Sequence, residues 1–367
     1  MKYMADVSNY KCPACGGPLV FSGAKQTLHC ASCGNDYDAE TLKMMDDTVN
    51  AAKSESRFDW TKYTPRHFEP ADAEKLATYS CPSCGAEITG DEALGSTVCP
   101  YCGNSTIVKG VFDGAFQPDF VIPFEIEKKK AIELFEADAM KKPFIPDEFK
   151  DRKRLQEMAG VYVPFWTFDC DCSAMITYRA QNVSVWSDSR YDYTKTDYYR
   201  LLRGGSVSYM NIPVDASLKA DDAYMDALEP FDYSKAVNFN AGYLSGYLAD
   251  RYDVSAEDSA GRANRRVENS TTEIFRDTTA GYQLVTPEFT NVQTAQGKIR
   301  YSLLPVWMLN IKYNGRNYKY AVNGQTGKVV GEYPIDKSKK KKYFGKTFLK
   351  FFVPCAAVIS AAMYFFL

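Results

Sequence analysis

Eight cysteines carry most of the chemistry available to this 367-residue chain. They stand in two copies of C-x2-C-x14-C-x2-C, formed by Cys12, Cys15, Cys30 and Cys33 and then by Cys81, Cys84, Cys99 and Cys102. A Cys-x2-Cys step places two sulfurs on one turn. The stretch between two such steps is long enough for a hairpin to bring the second turn round to the first. Each set can then surround one ion with a tetrahedron of thiolates, so two structural Zn2+ ions are expected, although the spacing by itself admits iron as well. A four-sulfur shell leaves no position for water, and the metal is expected to hold folds together and not to catalyse. Disulfides are the competing use of cysteine. They need an oxidising compartment, and residues 1–6 lack the apolar run of a secretion signal.

The flanking residues suit metal-binding turns. Glycine follows each pair (Gly16, Gly34, Gly85, Gly103), where a chain folding back over a metal needs positive φ. Residues 19–21 and 27–29 predict two short strands in the first copy, and 86–89 with 96–98 predict the same plan in the second. These turns resemble rubredoxin-type knuckles of zinc ribbons. His29 adjoins Cys30, but four sulfurs already fill the shell, and it is read as a surface strand residue.

Other catalytic signals are weak. Two histidines, His29 and His67, cannot furnish a histidine triad or a histidine metal centre. The segments 324–328 and 345–347 contain Gly-Lys steps without the earlier glycine of a phosphate-binding loop. Asp169-Cys170-Asp171-Cys172 alternates as a strand would, with both thiols on one face, and the thiols are read as small core residues. The chain is expected not to be an enzyme, with an unrecognised site in the central domain as one alternative.

The C-terminal residues 351–367 are uncharged and end the chain, and Lys337, Lys339, Lys340, Lys341, Lys342, Lys346 and Lys350 precede them. Seventeen residues span roughly 25 Å as a helix against a hydrocarbon core of about 30 Å. With lysines at the headgroups, this predicts a single-pass tail anchor at 351–367. The basic segment 336–350 then lies on anionic lipid, and the body faces the cytoplasm. Pro354 is placed in the first turn of that helix, where it breaks little.

Charge narrows the partners. Residues 1–109 hold ten Lys and Arg against fourteen Asp and Glu. Nucleic-acid binding rests on phosphate neutralisation, and this acidic half lacks the footprint. Proteins are the expected partners, and a tethered nucleic-acid-binding factor is the alternative.

The elements that position these residues predict an α+β chain. Its parts are ribbon one at 1–37, a linker with a short helix at 38–78, ribbon two at 79–109 and a mainly antiparallel α+β domain at 115–335, followed by the basic segment and one transmembrane helix. Phe58, Trp60 and Tyr63 are expected to dock the linker onto a neighbouring domain. Ile132, Phe135 and Ala139 mark one face of a helix starting near Glu127, and another helix is expected from Ala256. Asn314-Gly315 and Asn323-Gly324 predict hairpin turns. One echo stands out: Val163-Pro164-Phe165-Trp166-Thr167-Phe168 and Leu304-Pro305-Val306-Trp307-Met308-Leu309 share a pattern, as equivalent strands of a duplicated sheet would.

The ribbons, the Phe58-Asp59-Trp60 linker, the two Pro-x-Trp strands, the 246–253 segment and the C-terminal apolar run together resemble the bacterial double zinc-ribbon membrane proteins, often labelled TFIIB-type zinc ribbon or primosomal helicase-like. That resemblance implies a scaffold working with phage-shock-protein-A-like and SPFH or virion-core-like proteins at the cytoplasmic face of the membrane, in an envelope-stress response. It does not support a helicase, since no ATPase motif is present.

Overall fold

A computed structural model describes residues 11–13, 17–23, 25–32, 34–44, 55–68, 73, 76–91, 98–104, 108–111, 116–219 and 222–366. Its first strands are β1 (Leu19–Ser22), β2 (Thr27–Cys30), β3 (Asp36–Tyr37), β4 (Arg66–His67), β5 (Leu76–Ser80), β6 (Glu87–Asp91), β7 (Val108–Val111), β8 (Phe116–Gln117) and β9 (Phe120–Val121). Helices α1 (Lys128–Met140) and α2 (Arg152–Leu155) lead to two long strands, β10 (Ala159–Ser187) and β11 (Asp192–Asp215). Then come α3 (Asp222–Leu228), β12 (Val237–Asn238), β13 (Leu248–Asp250), α4 (Ala256–Asp277), β14 (Leu284–Tyr313), β15 (Arg316–Asn323), β16 (Val329–Gly331) and α5 (Lys337–Phe366).

Two compact units form. The first comprises Met1–Tyr63, Thr167–Pro213 and Glu257–Ile299, and the second Thr64–Trp166, Val214–Ala256 and Arg300–Leu367. In the first unit β1, β2 and β3 make a small antiparallel sheet, with Leu19 opposite Cys30 and Leu28 opposite Tyr37. Its larger core follows from strict alternation. Cys170, Cys172, Ala174, Ile176, Tyr178 and Ala180 point to one side of β10, where Val267 and Phe275 of α4 cover them. On α4 the buried positions Ser259, Ala263, Val267, Thr271 and Phe275 recur every fourth residue, the stripe a helix needs to lie on a sheet. Residues 159–187 are thus one continuous strand, with Asp171 and Ser173 exposed on its open face.

The second unit is built on a mixed sheet, antiparallel in most of its pairings. Its strands run in the order β12-β9-β14-β10-β13-β6-β5-β7. Two pairs are parallel: β10 beside β13, with Val161 opposite Leu248, and β14 beside β9, with Ser302 opposite Phe120. The pairing explains the echo in the sequence. Each register begins five residues before its tryptophan. Trp166 Nε1 donates to the Val254 carbonyl at 2.9 Å, and Trp307 Nε1 to the Ile126 carbonyl at 2.8 Å. Tyr252 packs on Trp166 with ring centroids 4.9 Å apart, and Phe124 on Trp307 at 5.0 Å. The amides of Asp253 and Val254 share the Ala216 carbonyl, and those of Glu125 and Ile126 share the Gly324 carbonyl. Ala216 and Gly324 in turn donate to Pro164 and Pro305. The unit is therefore an internal duplication in which β9 and β13 are exchanged, each pairing with the long strand of the other half. That exchange makes the sheet mixed. Trp166→Phe and Trp307→Phe should accordingly destabilise by similar amounts, about 1–3 kcal/mol each, since each leaves one part-buried carbonyl without its donor. Urea unfolding measures both, and a severalfold difference would break the equivalence.

Local expectations fare unevenly. Residues Ala131, Ile132, Phe135 and Ala139 of α1 are buried as the periodicity predicts. Asn314 and Gly315, at φ of 49° and 74°, form a two-residue turn between β14 and β15. Asn323-Gly324 does not. Asn323 Oδ1 accepts from the amides of Gln325 and Thr326 and closes a longer loop.

The expected tail anchor is overturned. Among the described residues no helix is long and apolar enough to cross a membrane. The apolar run is not a helix of its own but the far half of the 30-residue α5, whose near half bears the lysines, and Pro354 lies inside that helix and not at its start. The transmembrane helix and the single-pass membrane location with a cytoplasmic body fall with it. At the start of α5, Asp336 Oδ1 accepts from the amides of Ser338 and Lys339, and Lys339 Nζ reaches the Ile145 carbonyl at 2.9 Å and Asp147 at 2.6 Å. Lys337, Lys340, Lys341, Lys342, Lys346 and Lys350 are exposed.

Candidate metal centre

Cys81 follows β5 directly, and the chain must reverse within six residues to begin β6. The Cys81 amide donates to the Ala86 carbonyl at 2.9 Å, and the Gly85 amide to the Cys81 carbonyl at 2.8 Å. Gly85 takes φ of 71°. The turn at Cys99 repeats the pattern, with Cys99 to Asn104 at 2.8 Å, Gly103 to Cys99 at 2.9 Å and Gly103 at φ of 70°. A side chain at Gly103 would also press on Asn310, its Cβ lying 3.3 Å from Asn310 Cβ. The two turns face each other. All four Sγ atoms lie within 4.8 Å of one another, with Cys81 to Cys102 and Cys84 to Cys99 both at 3.6 Å. A disulfide requires about 2.05 Å. A tetrahedral ion with metal–sulfur bonds of about 2.3 Å sets sulfurs about 3.8 Å apart, so the geometry is that of a metal cage.

Electrostatics agrees. Burial pushes the Cys99 and Cys84 thiols up. Burial acts on Cys81 too, but hydrogen bonds from the backbone amides of Cys84 and Ser83 and from the Cys102 and Cys84 side chains together bring that thiol down to about 7. Bound by Cys81, Cys84, Cys99 and Cys102, a dication would supply the charge that lets the remaining sulfurs ionise.

The cage is part of a core and not an independent module. Cys81 and Cys99 are buried among Tyr79, Ile88, Val163, Phe165 and Leu304. Outer contacts fix the Cys99 turn. Tyr101 Oη donates to Asp250 at 2.5 Å, Asn310 Nδ2 to the Pro100 carbonyl, and Asn317 Nδ2 to the Cys102 carbonyl at 3.3 Å. Asp250, wholly buried on β13, also accepts from Ser217 at 2.7 Å and lies 3.5 Å from Lys219 Nζ. Sequence reasoning missed these supports. The one available signal was Tyr101, an aromatic at a turn tip where the first copy has Ser32. The strand expected at 86–89 is β6, but its partners are β5 and β13; of 96–98, residues 96 and 97 lie outside the described residues.

Of the first set, Cys12 and Cys30 are buried. Cys15 and Cys33 lie outside the described residues. The backbone around the visible pair repeats the second site, with Cys12 to Gly17 at 2.8 Å, Cys30 to Asn35 at 2.9 Å, Gly34 to Cys30 at 2.8 Å and Gly34 at φ of 79°. His29 is on the exposed side of β2, its Nδ1 2.7 Å from Asp36.

The remaining candidates are structural. Cys170 and Cys172 are buried, and burial pushes the Cys170 thiol up to about 12, too high for a nucleophile. On the other face Asp169 accepts from the Asn211 amide and Asp171 from Ser208. Trp166 and Trp307 are core residues. The 324–328 segment is a hairpin loop and 345–347 lies within α5.

Fold and site together define a duplicated mixed-sheet protein carrying a four-cysteine cage able to hold one metal ion. No family model matches the chain, and no solved structure does. It is similar to the uncharacterized protein YdjG of Bacillus subtilis (strain 168), 31% identical over 347 residues, or 94% of this chain and 96% of that protein, and the chain belongs to that family.

Proposed function

We propose that this protein is a non-enzymatic adaptor in which two zinc-filled cysteine cages shape surfaces for other proteins. The closed cage at Cys81, Cys84, Cys99 and Cys102 carries the reading. Four sulfurs leave a bound ion no position for a substrate, so its contribution is architecture. The second ion belongs at Cys12, Cys15, Cys30 and Cys33, and thiolate ligands with tetrahedral spacing favour zinc. Beside the buried Asp250, the most chemically suggestive acid, the cavity measures about 20 Å³, room for a water and not for a substrate. Ribbon one exposes Val20 and Phe21 at 63% and 55%, an apolar edge suited to a protein partner and not to phosphate.

Crosslinking in intact cells followed by mass spectrometry tests this. A partner should crosslink near β1 and be lost in Val20→Glu/Phe21→Glu protein that still carries about two zinc ions per chain. Crosslinks unchanged by that substitution, or turnover of a substrate by the purified protein, would remove the proposal.

A further inference from the structure

The segment from Glu55 to Thr61 lies in the first unit as an added strand. It runs parallel to β14, with bridges from Arg57 to Gln293 and from Trp60 to Gly297. The Arg57 amide donates to the Val292 carbonyl at 2.8 Å and the Thr294 amide to the Arg57 carbonyl at 2.9 Å. Gly297 donates to Asp59 at 2.9 Å and Thr61 to Gly297 at 2.7 Å. Side chains alternate as in a strand. Ser56, Phe58 and Trp60 turn inward, and Arg57 and Asp59 line an open cleft of about 520 Å³ with Asp171, Ser173 and Ser206.

The inward contacts are specific. Ser56 Oγ donates to Glu268 at 2.7 Å and accepts from the Val292 amide at 3.1 Å. Trp60 Nε1 donates to Asn264 Oδ1 at 2.7 Å, and the indole meets Phe168 edge-on at 5.0 Å. Gly297 forms the floor. A Cβ there would sit 2.3 Å from the indole, so only glycine leaves room for tryptophan. Main-chain bonds give such a site its grip, and the two side-chain pockets give it selectivity.

We infer that the groove between α4 and β14 is a peptide-recognition site for an extended segment bearing serine four residues before tryptophan, held closed in this chain by its own residues 55–61. The occupant seated on it states the chemistry of the partner: a hydroxyl for Glu268, an indole for Asn264 and Gly297, and an extended backbone for residues 292–297. A tethered strand competes at an effective concentration in the millimolar range. A partner therefore binds when the strap is released and is excluded while it is seated.

The test is fluorescence anisotropy with a labelled peptide of the sequence Glu-Ser-Arg-Phe-Asp-Trp-Thr and the full-length chain. Trp60→Ala protein, whose own strap has lost its anchor, should bind the peptide at least tenfold more tightly than wild type. A peptide with alanine for tryptophan should not bind, and adding Gly297→Leu to the Trp60→Ala chain should abolish binding. Asn264→Ala, which weakens the seat itself while keeping Trp60, should bind no more tightly than wild type and gives a readout if Trp60→Ala misfolds. Equal binding to wild type and Trp60→Ala, absence of saturable binding to folded Trp60→Ala, or tighter binding to Asn264→Ala than to wild type would overturn the inference.

Discussion

Replacing Cys99 with serine is expected to remove one metal ion and, with it, the cooperative fold of the second unit. Structural zinc in small peptides contributes roughly 10–16 kcal/mol of binding energy, whereas whole domains are stable by only about 5–15 kcal/mol. Cys99 is fully buried in the same cluster as Tyr79, Ile88, Tyr101, Phe165 and Leu304. An empty cage would leave thiols in contact with one another inside that cluster and would loosen the turn that Asp250, Asn310 and Asn317 hold. Metal analysis should show the loss of one ion per chain, and amides of β13 and β14 should lose hydrogen-exchange protection. With the first set filled as proposed, Cys12→Ser should also lose one ion. Its effect should stay local, because among the described residues β1, β2 and β3 pair with one another and with no other strand. If Cys99→Ser kept native protection in β13 with one ion missing, the cage would be an ornament on an already stable core. Chelation of the wild-type protein should reproduce the Cys99 result.

Asp250 should be the most sensitive position outside the cage. Its carboxylate accepts from Tyr101, from Ser217 and from the Arg251 amide, with Lys219 at 3.5 Å. Asp250→Ala leaves those donors facing an apolar core and should cost about 3–5 kcal/mol. The acid also makes stability depend on pH. Burial raises its pKa, and Lys219, Tyr101 and Ser217 only partly offset this. Lys219, itself partly exposed, keeps its charge; the wholly buried carboxyl gains too little from one long contact. The folded protein then holds the proton more tightly than the unfolded chain. The resulting stabilisation is complete below the unfolded value of about 3.9 and is lost as pH rises through the higher folded value. Asp250→Asn should flatten that slope. Urea unfolding of both proteins from pH 4 upward checks it, and a wild-type curve rising more steeply than that of the asparagine variant would show the opposite sign.

How much could be read in advance depended on the range of the interaction. The cysteine turns were legible because their chemistry is local: a Cys-x2-Cys step followed by glycine dictates its own hydrogen bonds, and Gly34, Gly85 and Gly103 all take the positive φ that the spacing requires. Trp60 was legible as a docking residue because an aromatic in a solvated stretch needs cover. Its partner Asn264 was not, since a single asparagine on a polar helix carries no signal. The apolar C-terminal run was misread for a related reason. Composition suggested a spanning helix, but residues 351–366 continue a helix begun at Lys337, and the charged half belongs to the same rod.

The sequence by itself determined the ligand set of the cage at Cys81, Cys84, Cys99 and Cys102 and its closed character, the buried face of α1 and the matching Pro-x-Trp strands, all of them consequences of residue type and short-range spacing. Only the tertiary structure decided that β9 and β13 change places between the two halves, that the second cage is embedded in their shared core, and that Asp250 is its keystone. Those facts depend on which strand edge meets which. Backbone hydrogen bonding is the same for every sequence, so the choice of partner is made by the packing of side chains far apart in the chain.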